Sequence, residues 1–343
     1  MHKRLRIGWL VVLATAAVAM LAVTAAQTAT SKVTAIAIAA PGKANNKGWD
    51  EQGVAGAKAA AKALGIRTVD VADGIGYENT ESVLRQLAQK KPGLIIAQAS
   101  GFATIAPRIA QEFKVPVITY DQPKNLVKGL VSDIETTSQQ GSYLAGILAA
   151  KMTQTGKIGV VISAADPNWY KQTGGFVAGA RSVDPNVKIL FAQSGQAAYD
   201  DAAGGKRVTQ TVIAGGADVV FGMGDGASFG MLQAVQTANA GHKVWFIDVI
   251  GDKSSIDKKG VLLSSVIWNF TTVFKQAIFD INNGTYGTHI YNLGAKNGIY
   301  LLKTKYIPAD VWALTEKARK DIAAGKTKIP LTPTLAAVKK IIG

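Results

Sequence analysis

Residues 33–71 read VTAIAIAAPGKANNKGWDEQGVAGAKAAAKALGIRTVDV. Val33 to Ala40 is a run of strand length, apolar but for Thr34. A polar loop with two glycines follows, and from Trp49 to Leu64 alanines and glycines recur at helical spacing against lysine, glutamate and glutamine. A second short run begins at Thr68. Strands that are apolar on both faces and separated by an amphipathic helix are the unit of a parallel sheet covered on both sides.

The unit repeats in both directions from there. Leu94 to Gln98 and Pro116 to Tyr120 read as further buried strands, with helices over Thr80 to Lys90 and Phe102 to Phe113. After Ser132-Asp133 the pattern restarts. Helices are expected over Gln139 to Met152, Lys171 to Ser182, Gly204 to Ile213 and Ala227 to Ala240. Strands are expected at Lys157 to Ile162, Val187 to Ala192, Asp218 to Met223 and Val244 to Asp248. The two halves also resemble each other locally. Leu94 to Ile96, a Ser100-Gly101 turn and a strand ending at Asp121 match Val219 to Phe221, a Gly224-Asp225-Gly226 turn and a strand ending at Asp248.

The expected architecture is therefore α/β, with two doubly wound parallel-sheet lobes joined by a hinge. Lobe 1 comprises residues 27–132 plus 250–285, and lobe 2 comprises 133–249 plus 286–330. In this division a strand near Val261 to Val266 and a helix from Thr271 to Asn282 return to the first lobe. Residues 331–343 form a C-terminal tail, which Pro330 and Pro333 mark as an exposed strap or mobile end.

Composition narrows the function. In 343 residues, 48% are hydrophobic and 18% charged, enough apolar material for a real core. There is no cysteine, which excludes a disulfide scaffold, a thiolate metal site and a cysteine nucleophile. The formal charge of +15 is spread along the chain rather than gathered with aromatics into a stripe, so no nucleic-acid partner is expected. Residues 1–26 read as a signal peptide: Lys3, Arg4 and Arg6, an apolar run from Ile7 to Val23, then Thr24-Ala25-Ala26. An uncleaved anchor is the alternative, and both place the remainder outside the cytoplasm; with no cysteine for a lipid anchor, the expected location is the periplasm.

No catalytic set stands out. His242 and His289 lack metal-ligand spacing, no GxSxG elbow is present, and no metal or cofactor is expected. Gly222-Met223-Gly224-Asp225-Gly226-Ala227 imitates a dinucleotide fingerprint, but it stands in the fourth strand-helix unit rather than the first. Its glycines indicate a backbone that a ligand can approach, with helix N-terminal N–H groups pointing at it. The remaining candidates are aromatic and acidic groups at strand-to-helix junctions: Trp49 and Asp50, Trp169, and Tyr199 with Asp200 and Asp201. Trp49 and Asp50 can also be read as a hydrophobic staple and a first-turn acid. Exposed aromatics on polar loops are otherwise platforms on which a solute stacks.

At Asn46-Lys47-Gly48-Trp49-Asp50-Glu51-Gln52-Gly53 the chain resembles the first motif of the basic membrane protein family, substrate-binding proteins of ABC importers that include a purine nucleoside receptor. Further matches fall at Gly141 to Gly146, Gly216 to Phe221 and Val244 to Asp248, so the resemblance runs from about Val33 to Pro330. It implies a type I periplasmic-binding fold and no enzymatic activity. It also implies ligand-binding roles for Asn46, Trp49, Asp50, Asp121, Tyr199, Gly224, Asp225, Gly226 and the ribose-binding acid Asp248. Two positions depart from the family pattern: Asp50 stands where the family has asparagine, and Trp268 where a lysine is expected, making the pocket more aromatic and more acidic. The implied ligand is a purine nucleoside, a purine base or another flat heterocycle, and the implied partner is an ABC permease in the inner membrane, with the protein itself a monomer. A periplasmic sensor for a receptor kinase and an exported nucleoside hydrolase are the competing readings.

Overall fold

The computed structural model describes residues 32–343. The expected export segment, residues 1–26, lies outside them. Five strands, β1 (Ala35–Ala40), β2 (Thr68–Asp73), β3 (Leu94–Ala97), β4 (Val117–Tyr120) and β5 (Val131–Thr136), form a parallel sheet in the order β2-β1-β3-β4-β5. The next five, β6 (Lys157–Ile162), β7 (Lys188–Gln193), β8 (Val219–Met223), β9 (Trp245–Ile250) and β10 (Leu262–Trp268), repeat that order as β7-β6-β8-β9-β10. Each sheet gains one edge strand: β11 (Tyr291–Leu293) runs parallel to β5, and β12 (Ile299–Leu301) antiparallel to β10.

Helices α1 (Trp49–Ala63), α2 (Thr80–Gln89) and α3 (Ala106–Phe113) follow β1, β2 and β3 of the first unit, and α4 (Gln139–Met152) follows β5. Helices α5 (Pro167–Arg181), α6 (Ala202–Ala214) and α7 (Ala227–Gln236) follow β6, β7 and β8, α8 (Thr271–Asn282) follows β10, and α9 (Ala309–Ala323) and α10 (Leu335–Ile342) close the chain. The alternation within β1 shows why both sheet faces are covered. Ile36 and Ile38 pack with Val54 and Ala57 of α1, while Ala37 and Ala39 pack with Leu84 of α2 and Ile109 of α3. Full burial of each such isoleucine is worth about 1.5–3 kcal/mol.

Glycine fixes one helix crossing. A Cβ at Gly146 would lie 2.0 Å from the Phe176 carbonyl oxygen, and one at Gly179 would lie 2.0 Å from that of Tyr143. Helices α4 and α5 thus touch backbone to backbone, and the Gly141-to-Gly146 segment is packing rather than binding surface.

The structure differs from the sequence-based division in three places. The segment read as a restart at Ser132-Asp133 is a strand, β5. Its polar residues hid it: Asp133 is fully buried in β5, accepting hydrogen bonds from Thr119 Oγ1 at 2.7 Å and the Gln122 N–H at 3.1 Å. The strand expected to return to the first lobe near Val261 to Val266 pairs instead with β9, as the fifth strand of the second unit. The return is made by α8, which packs on α1, and by β11. The chain accordingly changes lobe between β5 and α4, between β10 and α8, and between β11 and β12.

The third difference is the tail. Residues 331–343 are neither strap nor free end. Thr332 is buried and donates to the Tyr170 carbonyl at 2.6 Å, Val338 of α10 is fully buried against the main core, and the Arg181 guanidinium grips the carbonyls of Ile341 and Ile342. Replacing Val338 with aspartate should lower stability by at least about 2 kcal/mol, read as the midpoint of urea unfolding. An unchanged midpoint would return α10 to the status of a loose end.

Candidate functional site

In both sheets the strand order reverses direction between the first and third strands of the unit, and the carboxyl ends of these strands face each other. A cavity of about 300 Å³ lies there. Each residue on its wall either ends a strand or follows one, the place where open α/β sheets bind ligands. The wall draws on both lobes. Pro41, Gly42, Trp49, Asp50, Tyr77 and Asp121 come from the first, and Asp166, Trp169, Tyr199, Asp225 and Trp268 from the second.

Trp49 is the first residue of α1 and half-buried. Its indole N–H donates to the Gln98 carbonyl at 2.7 Å, and its ring meets Tyr120, Trp268 and Phe270 edge-on at centroid distances of 5.0, 5.8 and 5.3 Å. Gln98 is fully buried and accepts from the Tyr120 hydroxyl at 2.5 Å, so the support beneath Trp49 is itself fixed. Trp49 is not the staple that the sequence suggested, since it follows the N-cap Gly48 and its ring packs on residues outside α1, but the side chain is both anchored and at the cavity. Asp50 likewise serves twice. It borders the cavity while accepting from the Gly42 N–H at 2.9 Å and Asn46 Nδ2 at 2.7 Å.

The expected loop aromatic Trp169 lies in the first turn of α5, which begins at Pro167, four residues before the expected start at Lys171. Asp166 caps the helix, accepting from the N–H groups of Asn168 and Trp169, and Pro167 suits the first helical position. The same Asp166 accepts from the Tyr199 hydroxyl at 2.8 Å. Two hydrogen bonds between wall residues cross the gap between lobes: the Trp49 N–H donates to Asp225 Oδ1 at 3.4 Å, and Asn168 Nδ2 donates to Asp121 Oδ2 at 3.3 Å.

Four expected site residues are not on this wall. Asn46 is turned inward, its Oδ1 accepting from Gly48 and Glu51 and its Nδ2 donating to Asp50, so it holds the loop that carries Trp49. Gly224 and Gly226 flank Asp225 without bordering the cavity. The amides expected to face a ligand are occupied: Gly226 N–H donates to Asp200 Oδ1 at 2.9 Å and Ala227 N–H to the Tyr199 carbonyl at 2.9 Å. Asp248 is fully buried beside the equally buried Lys253, whose ammonium also donates to the Lys47 carbonyl of the other lobe at 2.9 Å; Ser228 Oγ donates to Asp248 Oδ1 at 2.9 Å.

Sequence reasoning missed Tyr77, Asp166 and Asn168 as wall residues and Lys253 as the partner of Asp248, whereas the candidate Asp200 is on the wall and its neighbour Asp201 instead caps α6. Tyr77 had one readable signal, the Gly74-Ile75-Gly76 turn that precedes it at the end of β2. Lys253 had none, since its partner lies on the preceding strand and its second contact 206 residues away.

Strain and charge concentrate here. Asp121 has φ 58° and Ile250 φ 72°, left-handed conformations rare for any residue but glycine and rarest for a β-branched one. Burial pushes Asp225 up to about 7, with Asp50 and Asp200 adding to the push, and burial pushes Asp121 up to about 6, with Glu135 adding. Burial also raises Asp50.

Two predictions follow from this geometry. Removing one member of a buried ion pair leaves the other uncompensated, at about 3–5 kcal/mol. Lys253→Met should show such a loss in urea unfolding, and adding Asp248→Asn should cost less than the sum of the single losses; additive losses would mean that the two groups do not interact. The second concerns pH. The folded protein keeps its Asp121 and Asp225 protons to a higher pH than the unfolded chain does, so these groups lower ligand-free stability as pH rises from the ordinary carboxylate range through about 7. Asp225→Asn should make the fall in melting temperature between pH 5 and 8 shallower; an identical slope would contradict the raised carboxyl.

Comparison with known proteins agrees with the fold. The Bmp family model, described as ABC transporter substrate-binding protein PnrA-like, matches residues 33–329, and the chain belongs to that family of solute-binding, non-enzymatic proteins. An ABC transporter nucleoside-binding protein, BmpA, of Lactococcus lactis subsp. cremoris is 29% identical over 220 residues. That match covers 60% of this chain, and the chain spans 61% of the relative's length. An ABC transporter solute-binding protein from Conexibacter woesei superimposes with a TM-score of 0.75 at 21% identity, covering 87% of this chain and 99% of that one. One from Aeropyrum pernix gives 0.74 at 20% identity, covering 90% and 96%.

Proposed function

We propose that this family member is an extracytoplasmic receptor that takes a purine nucleoside, or the free purine base, into the cavity between its lobes and presents the closed form to an ABC permease. The export expected of residues 1–26 would put it in the periplasm. The observation that carries the reading is the presence of Trp49 and Tyr77 from one lobe and Trp169, Tyr199 and Trp268 from the other around a single cavity. A cavity of about 300 Å³ is at the small end of sites for small molecules, which suits a ligand of one or two rings. Among the described residues no helix is long and apolar enough to cross a membrane.

Stacking on aromatic side chains contributes about 1–3 kcal/mol per base, and carboxylates can accept the N–H and O–H groups of base and sugar. Micromolar binding, about −8 kcal/mol, is within reach of two such contacts and a few hydrogen bonds after ordering costs. Because the wall is complete only when the lobes meet, ligand binds the closed state better than the open one, and the difference in affinity drives closure. Ribose recognition through Asp248 is not part of this proposal, because that carboxylate is committed to Lys253 behind the wall. Asp50, Asp121 and Asp225 are the acids placed to meet the solute.

The purified protein should melt at higher temperature with at least one of adenosine, guanosine, adenine or hypoxanthine. No shift across a broad purine panel would remove the purine assignment. For a ligand that does bind, Trp49→Ala should weaken affinity at least about tenfold by calorimetry, roughly the loss of one stacked face, with circular dichroism confirming a folded variant. Retained affinity would leave Trp49 a purely structural residue.

A further inference from the structure

The cavity wall has a one-sided charge. Five of the chain's 23 acidic residues border it, Asp50, Asp121, Asp166, Asp200 and Asp225, and among the described residues no lysine or arginine does. This in a chain of formal charge +15 reverses the sign of the molecule as a whole. Among the described residues none of the five forms a salt bridge with a lysine or arginine; Lys171 acts on Asp121 and Lys253 on Asp225 only through space. Among the described residues each accepts hydrogen bonds from neutral donors only, the backbone amides, Asn46, Asn168 and Tyr199 already described. Asp121 Oδ1 is buried and meets no donor at all. Trp268 completes the wall with an aromatic ring.

A second observation limits what can fill the space. Trp169 and Trp268 are 4% and 2% exposed, both border the cavity, and the indole N–H of each meets no acceptor in the protein. Buried polar groups without partners are uncommon, and at a binding site they mark positions that a ligand satisfies. The occupant therefore needs acceptor atoms as well as positive charge, which a bare ammonium or a metal ion lacks. Among the described residues no grouping of histidine and carboxylate side chains suits a metal ion.

We propose that the solute is a flat heterocycle carrying a formal positive charge, its ring stacked on the tryptophans and tyrosines and its charge set against the carboxylates. The inference rests on the receptor reading above and makes its ligand more specific. Aromatic faces attract cations as well as rings, so stacking and charge act on the same group. The carboxylates attract such a solute from the open cleft and, once the lobes close, face it across a medium of low polarity where each interaction is stronger than in water. An anionic solute, such as a nucleotide, is repelled by the same wall.

Calorimetric titration at pH 7.5 with adenosine, its cationic analogue 1-methyladenosine, adenosine monophosphate and thiamine tests the charge separately from the ring. The proposal expects at least a tenfold preference for 1-methyladenosine over adenosine, or binding of thiamine alone. Thiamine alone would uphold the charge while removing the purine assignment. Adenosine binding as tightly as its methylated analogue, or adenosine monophosphate binding best, would overturn the inference and leave the nucleoside reading in place. Binding of none of the four would overturn the inference, and the purine panel described above would still decide the nucleoside reading. Asp225→Asn and Asp121→Asn keep the size of the side chain and remove its charge. Each should collapse the preference for the cationic analogue toward parity, and an undiminished preference in both would count against electrostatic selection.

Discussion

The contact on which the site depends is the approach of Asp225 from the second lobe to the backbone N–H of Trp49 in the first. A carboxylate that leaves water needs a donor, and here the donor is the start of a helix in the opposite half of the molecule. The arrangement is completed only by bringing the two sheets together. It also places a group that resists ionisation beside the ring most firmly held in the cavity, with Gln98 and Tyr120 fixing that ring from below. Ordering at Trp49 and the raised carboxyl of Asp225 are thus two aspects of one interface.

The frame beneath it was largely legible. Helices over Gln139–Met152 and Thr271–Asn282 and the strand Lys157–Ile162 lie where hydrophobic spacing puts them, because continuous apolar runs and amphipathic helices leave few alternatives. What escaped reading was buried polarity. Residues 131–136 contain Ser132, Asp133 and Glu135, and the burial of Asp133 depends on Thr119 in the neighbouring strand, a partner that no local pattern announces. Missing that strand displaced the count by one and sent Val261 to Val266 to the wrong sheet. The short edge strands β11 and β12 and the terminal helices were missed because each is stabilised mainly by what it packs against.

The same limit applies to the site. Aromatics at strand-to-helix junctions were readable as such, and Trp49, Trp169, Tyr199 and Trp268 do share one cavity. An aspartate at a strand end was not enough to separate a wall residue from a buried one: Asp121 borders the cavity, whereas Asp248, at the corresponding place in the second unit, is taken by Lys253. The glycines around Asp225 suggested a backbone open to ligand, yet Asp200 and the Tyr199 carbonyl occupy the amides there. Side-chain partners remote in sequence decided these outcomes.

Lys253 has a further consequence for motion. Its ammonium joins a carboxylate of its own lobe to a carbonyl of the other, in a place without solvent. Parting the lobes must give up the Lys47 contact and admit water to the ammonium, so the opened form recovers through hydration part of what it loses in contact. A latch of this kind adds little to the equilibrium but raises the barrier between the two forms, because the contact breaks before water can replace it. Dwell time of the trapped solute, and hence the interval available for meeting a membrane partner, would then be governed by a side chain that never touches the cargo.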